Sequence, residues 1–241
     1  MEVHKHPHHV THKKKWQEYL LEFFMLFLAV FLGFVAENWR EHIVEKRKEK
    51  EYMFALSSDL SSDTIIINKS IEYNNDIYKS DSILLRLLDN LNKDSASVRE
   101  VFKHFSRTTN FWVDFNEDKT FEQLKSTGDF KLIKNSIVLD SMSKYYLQVA
   151  RDKIFRDEIQ SQLQITYNLA DRVFDAYAFN NDQYPQTKLI TTDIQLIKEY
   201  RNKLYHLIIY YKDFILHMQR LKQKAIDFIS VTQKEYHLEK E

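Results

Sequence analysis

Glu18–Trp39 reads EYLLEFFMLFLAVFLGFVAENW, and the fold turns on what this stretch is. From Tyr19 to Ala36 only Glu22 is ionisable. Eighteen helical residues rise about 27 Å, close to the roughly 30 Å hydrocarbon core of a bilayer. Trp16, Tyr19 and Trp39 stand at the two ends, where amphipathic rings favour the headgroup level. A core helix of a soluble protein would show a polar face, and this one is apolar nearly all round. A cleaved signal peptide fits poorly, because cleavage after Ala36 places bulky Phe34 where a small residue is needed. The expectation is an uncleaved transmembrane helix over residues 16–38, with the lipid bilayer as its first partner.

At 100° per residue, Glu18, Glu22, Ala29, Gly33 and Ala36 share one narrow stripe. Phe23, Phe24, Phe27, Phe31, Phe34 and Val35 take the opposite face. Ala29-x-x-x-Gly33 is a small-x-x-x-small pattern, which lets two helix backbones approach closely. Glu22, Ala29, Gly33 and Ala36 are therefore the expected packing face, toward a second copy or a multispan membrane partner. An acid in hydrocarbon is costly and marks function by default. The alternative is that Glu22, one turn from Glu18, lies at the interface and reaches the headgroups.

Residues 1–15 form a tail with His4, His6, His8, His9 and His12. Five imidazoles offer a weak site for Zn²⁺, Cu²⁺ or Ni²⁺; a flexible polar tail is the plainer reading. Lys13, Lys14 and Lys15 abut the span and suit the cytoplasmic face. Arg40, Lys46, Arg47, Lys48 and Lys50 on the far flank compete with them. The closer triplet and the short leading tail favour tail inside and main domain outside.

The chain has 241 residues, 35 basic and 35 acidic, so formal net charge is zero. That argues against a general nucleic-acid binder. There are two glycines and two prolines, too few for the turns of a strand-rich fold. No cysteine is present, which removes disulfides, thiolate metal sites and cysteine nucleophiles. The expected fold class is all-α: one N-terminal transmembrane helix, a charged helical stalk over 39–51, and an elongated antiparallel helical bundle over 52–241. In the stalk, Glu45 with Lys48, Lys46 with Glu49 and Arg47 with Glu51 have helical neighbour spacing. The roughly 185 residues that follow are enough for one domain.

Met53, Leu56, Leu60, Ile67 and Ile71 begin an apolar stripe. A second apolar segment is expected near Asp81–Leu91, broken by NKDSASVRE, which starts another helix. Thr120 with Gln123 reads as a capping box, and Gly128 suits the left-handed position after a short helix over Phe121–Thr127. Two long helices are expected, from about Ser136 to Phe179 and from about Thr192 to Tyr236, joined by a turn at NNDQYPQ around Pro185. Val138, Met142, Tyr145 and Val149 mark the face of the first, which resumes after Arg151-Asp152-Lys153 with Phe155, Ile159, Leu163, Thr166 and Val173. Ile197, Leu204, Ile208, Tyr211, Ile215, Met218 and Ala225 mark the second.

The stretch TFEQLKSTGDFKLIKNSIVLDSMSKYY, together with the opening MEVHKHPHHVTHKKKW, the span and the flank Glu37-Asn38-Trp39-Arg40-Glu41, resembles an uncharacterised bacterial family, a domain of unknown function. The likeness covers the first 50 residues and roughly 110–147. It implies an N-terminal membrane helix followed by a helical domain, attached to a bacterial membrane; the flanking charges add the expectation of the inner membrane with the main domain periplasmic. The motif residues are Thr120, Phe121, Leu124, Gly128, Leu132, Ile133, Lys134 and Asn135. The resemblance implies no active-site residue.

Catalytic patterns are missing. HExxH, Glu-x-x-His, a Gly-rich phosphate loop and G-x-S-x-G are all absent. His206, Asp213 and His217 share a helix face with Tyr210 between them, but their axial spacing of about 6–10 Å leaves a metal short of ligands without a second helix. A polar helix edge explains them. No cofactor and no enzymatic activity are expected. The favoured reading is a single-pass, membrane-anchored helical interaction or sensory scaffold, working as an oligomer. The alternative is an ion-coupled, stator-like subunit of a membrane complex that uses Glu22.

Overall fold

The computed structural model describes residues 15–90, 95–108, 111, 119–175 and 189–238. The histidine tail, the NNDQYPQ turn and residues 112–118 lie outside the described residues. Within them the protein is helical throughout, with no strand. Five α-helices follow in order: α1 Trp16–Asp89, α2 Ser95–Thr108, α3 Lys119–Thr127, α4 Ser136–Val173 and α5 Ile194–Tyr236, with a short 3-10 helix at Asp129–Leu132 between α3 and α4. The chain divides into two compact units, residues 1–50 and residues 51–241, and α1 contributes to both.

The first unit consists of the N-terminal part of α1. Fourteen large apolar side chains between Tyr19 and Val35 are exposed. Phe23, Phe27 and Phe31 stack in a row up the helix, with ring centroids 6.3 and 6.1 Å apart. Glu37 and Arg40, three residues apart, form a two-pronged ion pair.

The second unit has a core, and its three long helices reach that core by the same rule. On α1 the buried positions include Met53, Leu60, Ile67, Asn74, Asp81 and Leu88, one every seven residues, with Leu56, Asp63, Ser70, Ile77 and Leu84 between them. On α5 the rows are Ile197, Leu204, Tyr211, Met218, Ala225, Thr232 and Tyr200, Leu207, Phe214, Leu221, Phe228. On α4 Val138, Tyr145, Asp152, Ile159, Thr166 and Val173 are buried at the same interval. A seven-residue repeat keeps a seam on one side of a helix over many turns. The seams meet in two clusters. One gathers Met53–Ile77 of α1 with α3, the 3-10 helix, the first half of α4 and Leu207–Phe228 of α5. The other gathers Leu84 and Leu88 with α2, the end of α4 and Leu196–Ile208. Phe105 stacks on Phe174 at 4.2 Å, and Phe102 and Tyr200 meet Phe174 edge-on at 5.6 and 5.1 Å.

Three expectations need correction. The apolar residues near Asp81–Leu91 are not a separate segment, because α1 runs on unbroken to Asp89. It contains no proline, its one glycine, Gly33, lies far upstream and does not break it, and its polar residues turn their side chains back onto the helix: Ser61 donates to Ser57 O, Asn74 to Ser70 O and Ser82 to Tyr78 O. The first long C-terminal helix ends at Val173 rather than Phe179. Phe174 is extended (φ −117°, ψ 141°) and pairs with Leu189, where Ile190 N–H donates to Val173 O at 2.9 Å. Thr120 does not cap α3 through a box with Gln123; both its N–H and its hydroxyl donate to Asp59 Oδ2 of α1, at 3.3 and 2.6 Å. A carboxylate from a neighbouring helix meets the positive end of α3 more strongly than a local hydroxyl would.

The seams make a contrast testable. Phe214 is fully buried, whereas Ile154, on the opposite side of α4 from its seam, is 73% exposed. Phe214→Ala is expected to cost about 3–5 kcal/mol and Ile154→Ala less than about 0.5 kcal/mol, measured by chemical denaturation of the full chain in detergent micelles.

Candidate functional site

Glu22, Ala29, Gly33 and Ala36 lie on the bare part of α1, and all four are exposed. A Cβ added at Gly33 would meet nothing within 4 Å. The phenylalanine face is as open as the small-residue face, so neither packs on another described element. Trp16–Asp89 holds one stretch long and apolar enough to cross a membrane, and none of it is buried.

The eight motif residues do come together, and they build a joint. Leu124, Leu132 and Ile133 are buried in the first cluster. Phe121 stacks on Tyr146 of α4 at 3.6 Å and meets Phe130 edge-on at 5.4 Å. Gly128 takes φ 70°, ψ 18°, the left-handed conformation in which a side chain is strained, and so turns the chain from α3 into the 3-10 helix. Asp129 follows, buried, accepting at Oδ2 from Tyr52 OH (2.6 Å) and Thr127 Oγ1 (2.8 Å). Asn135 then caps α4, its Oδ1 accepting from Ile137 N–H (3.0 Å) and Val138 N–H (3.3 Å). Its amide nitrogen donates to Glu235 Oε2 near the end of α5, at 2.7 Å. Gly128 and Lys134 are the exposed members. The bonds of Thr120 to Asp59, Tyr52 to Asp129 and Asn135 to Glu235 tie α1, α3, α4 and α5 together, which is structural chemistry.

The polar edge expected on α5 separates. His206 and Asp213 are exposed. Tyr210 donates to Glu158 Oε1 at 2.7 Å. His217 faces α4 instead, with Nδ1 3.0 Å from Asp152 Oδ1 and its ring stacked on Phe155 at 4.8 Å. Asp152 is fully buried and also accepts from Gln148 at 2.8 Å. Burial raises its carboxyl pKa above the usual range, and the Gln148 and His217 bonds partly oppose this. The triplet Arg151-Asp152-Lys153 is thus no interruption: Asp152 is a seam residue. Among the described residues no three His, Cys, Asp or Glu side chains converge as a metal set.

The second polar concentration is one that hydrophobic pattern reading passes over. Asp81 is 0% exposed, and neither carboxyl oxygen has a hydrogen-bond partner among the described residues. Thr108 lies close enough to favour its charged form, but the Thr108 hydroxyl donates to His104 O at 3.4 Å and makes no geometric bond to Asp81. Desolvation pushes the carboxyl up to about 7. His104 Nδ1 contacts Ser80 Oγ at 2.9 Å, and its pKa is lowered by burial and by Lys103. The signal that reaches Asp81 is its place in the seven-residue row between Asn74 and Leu88.

Asn135→Ala is expected to destabilise the second unit by about 1–2 kcal/mol, read from the denaturation midpoint, and Asn135→Asp to recover only part of this because it sets a carboxylate against Glu235. No family model, curated protein or solved structure matches this chain, so its sites stand on their own geometry.

Proposed function

We propose that the chain is a single-pass membrane protein whose second unit is a helical interaction or sensory module. The observation that carries this reading is the fourteen exposed large apolar side chains between Tyr19 and Val35. Each forgoes roughly 1.5–3 kcal/mol by staying in water, and a bilayer removes that cost for every face at once. The segment length matches a hydrocarbon core, and the backbone of an α-helix needs no partner there.

In this reading residues 39–51 are a charged stalk and the second unit is an antiparallel bundle. The seven-residue seams on α1, α4 and α5 support it, because helices with that repeat pack at about 20° to one another. Lys13–Lys15 at the leading flank favour a cytoplasmic tail and a second unit on the far side of a bacterial inner membrane. The small-residue face through Ala29 and Gly33 favours self-association in the bilayer.

Two measurements test the reading. After alkaline carbonate extraction the full chain is expected in the membrane pellet with its N-terminal residues intact by mass; release into the supernatant, or a mature chain lacking the apolar segment, sinks it. The natural chain has no cysteine, so a single introduced one reports alone. Ala29→Cys is expected to form disulfide dimers in membranes at least severalfold more readily than Phe31→Cys, and the reverse preference assigns the interface to the phenylalanine face.

A further inference from the structure

Asp81 stands on α1 between Ile77 of the first cluster and Leu84 of the second. Two phenols enter the same region from α5. Tyr200 and Tyr211 are each 0% exposed, and neither hydroxyl has a hydrogen-bond partner among the described residues. Burial raises both phenols well above their usual pKa, and the charge of Asp81 adds to it. Around them stand Thr108 and His104 of α2, Tyr167 of α4, which acts on both phenols, and Tyr73 of α1, which acts on Tyr211. No lysine or arginine is among the groups acting on Asp81. The crevice alongside, between Phe105, Thr108, Tyr167 and Tyr200, is too narrow to admit water. A carboxylate in this seam would have no cation and no solvent, with Thr108 alone to favour it, whereas the neutral acid forgoes far less.

We propose that Asp81 is a proton-binding site that couples the packing of α1, α2 and α5 to pH: with its proton the two clusters join across a dry seam, and without it the seam opens to water. The proposal does not depend on the membrane reading. Asp81 begins to ionise near 3.8 in the unfolded chain and near 7 in the folded one, so its contribution is full below about pH 4 and lost as pH rises to about 7. Asp152, also raised, acts in the same direction. His104 acts oppositely: its lowered pKa gives stability that is present above its ordinary 6.5 and lost as pH falls.

The test is denaturation of the full chain in detergent micelles between about pH 4 and pH 7.5, followed by circular dichroism, for the natural chain, Asp81→Asn and Asp152→Asn. The Asp81 contribution is on the order of a thousandfold loss in the folding constant across that range. Asp81→Asn is expected to remove it and Asp152→Asn to leave it. An Asp81→Asn chain that keeps the natural pH dependence overturns the proposal. Should Asp81→Asn not fold, infrared titration of the Asp152→Asn chain decides: a protonated-carboxyl band that persists to near pH 7 upholds the proposal, and one that has vanished by about pH 5 overturns it.

Discussion

Burial at every seventh position on α1, α4 and α5 is the constraint on which the second unit depends. An ideal straight α-helix drifts by about 20° per heptad against such a repeat. Helices that keep such a repeat suit a packing in which they wind slightly about one another. Once they do, each buried residue is committed to particular neighbours, and shifting one helix by a single residue would move its whole row out of the core. The polar members of the rows make that commitment sharper. Tyr145 donates to Asp63 at 3.1 Å, His217 meets Asp152, and Tyr52 meets Asp129. A slipped helix would leave these groups buried without partners, at about 1–3 kcal/mol each. Apolar packing supplies the attraction, and the polar pairs select the register.

α1 carries two different solvent requirements within one secondary-structure element. Up to Val44 its side chains are exposed on every face; from Tyr52 the seven-residue seam begins. The backbone hydrogen bonding is the same throughout, so the difference is entirely one of side chains. A helix with a single buried seam suits water on its outer side. A helix apolar all round suits a medium that is itself apolar. The charged residues between Glu37 and Glu51 stand where the requirement changes.

Much of this was legible in the sequence. Scarce glycine and proline foretold long helices, and the apolar stripes through Leu56, Tyr145 and Leu204 fall on the buried faces. What hydrophobic pattern could not show was the polar part of the seam. Asn74 and Asp81 continue the row of Ile67 and Leu88, yet read as gaps because they are polar. For that reason α1 looked like two segments, and Arg151-Asp152-Lys153 looked like a pause in the apolar register of α4. The long-range partners were also out of reach, since the Asp59 that receives α3 lies 61 residues before Thr120. The end of α4 was overrun because Phe174 is as apolar as a helix face requires, and only its pairing with Leu189 shows that it leaves the helix. In the apolar segment, Glu22, Ala29, Gly33 and Ala36 are exposed on α1, and the described residues offer no neighbour for that face.

The bond from Asn135 to Glu235 spans 100 residues. A ribosome makes the chain in one direction, so α4 begins life with its cap only half secured. The first half of the second unit must wait while about a hundred further residues emerge before the last turn of α5 can receive that amide. By then the apolar segment of α1 has long since left the ribosome. The order of synthesis therefore separates two events: the apolar segment emerges early, and the helical unit closes its joint only once α5 has been made.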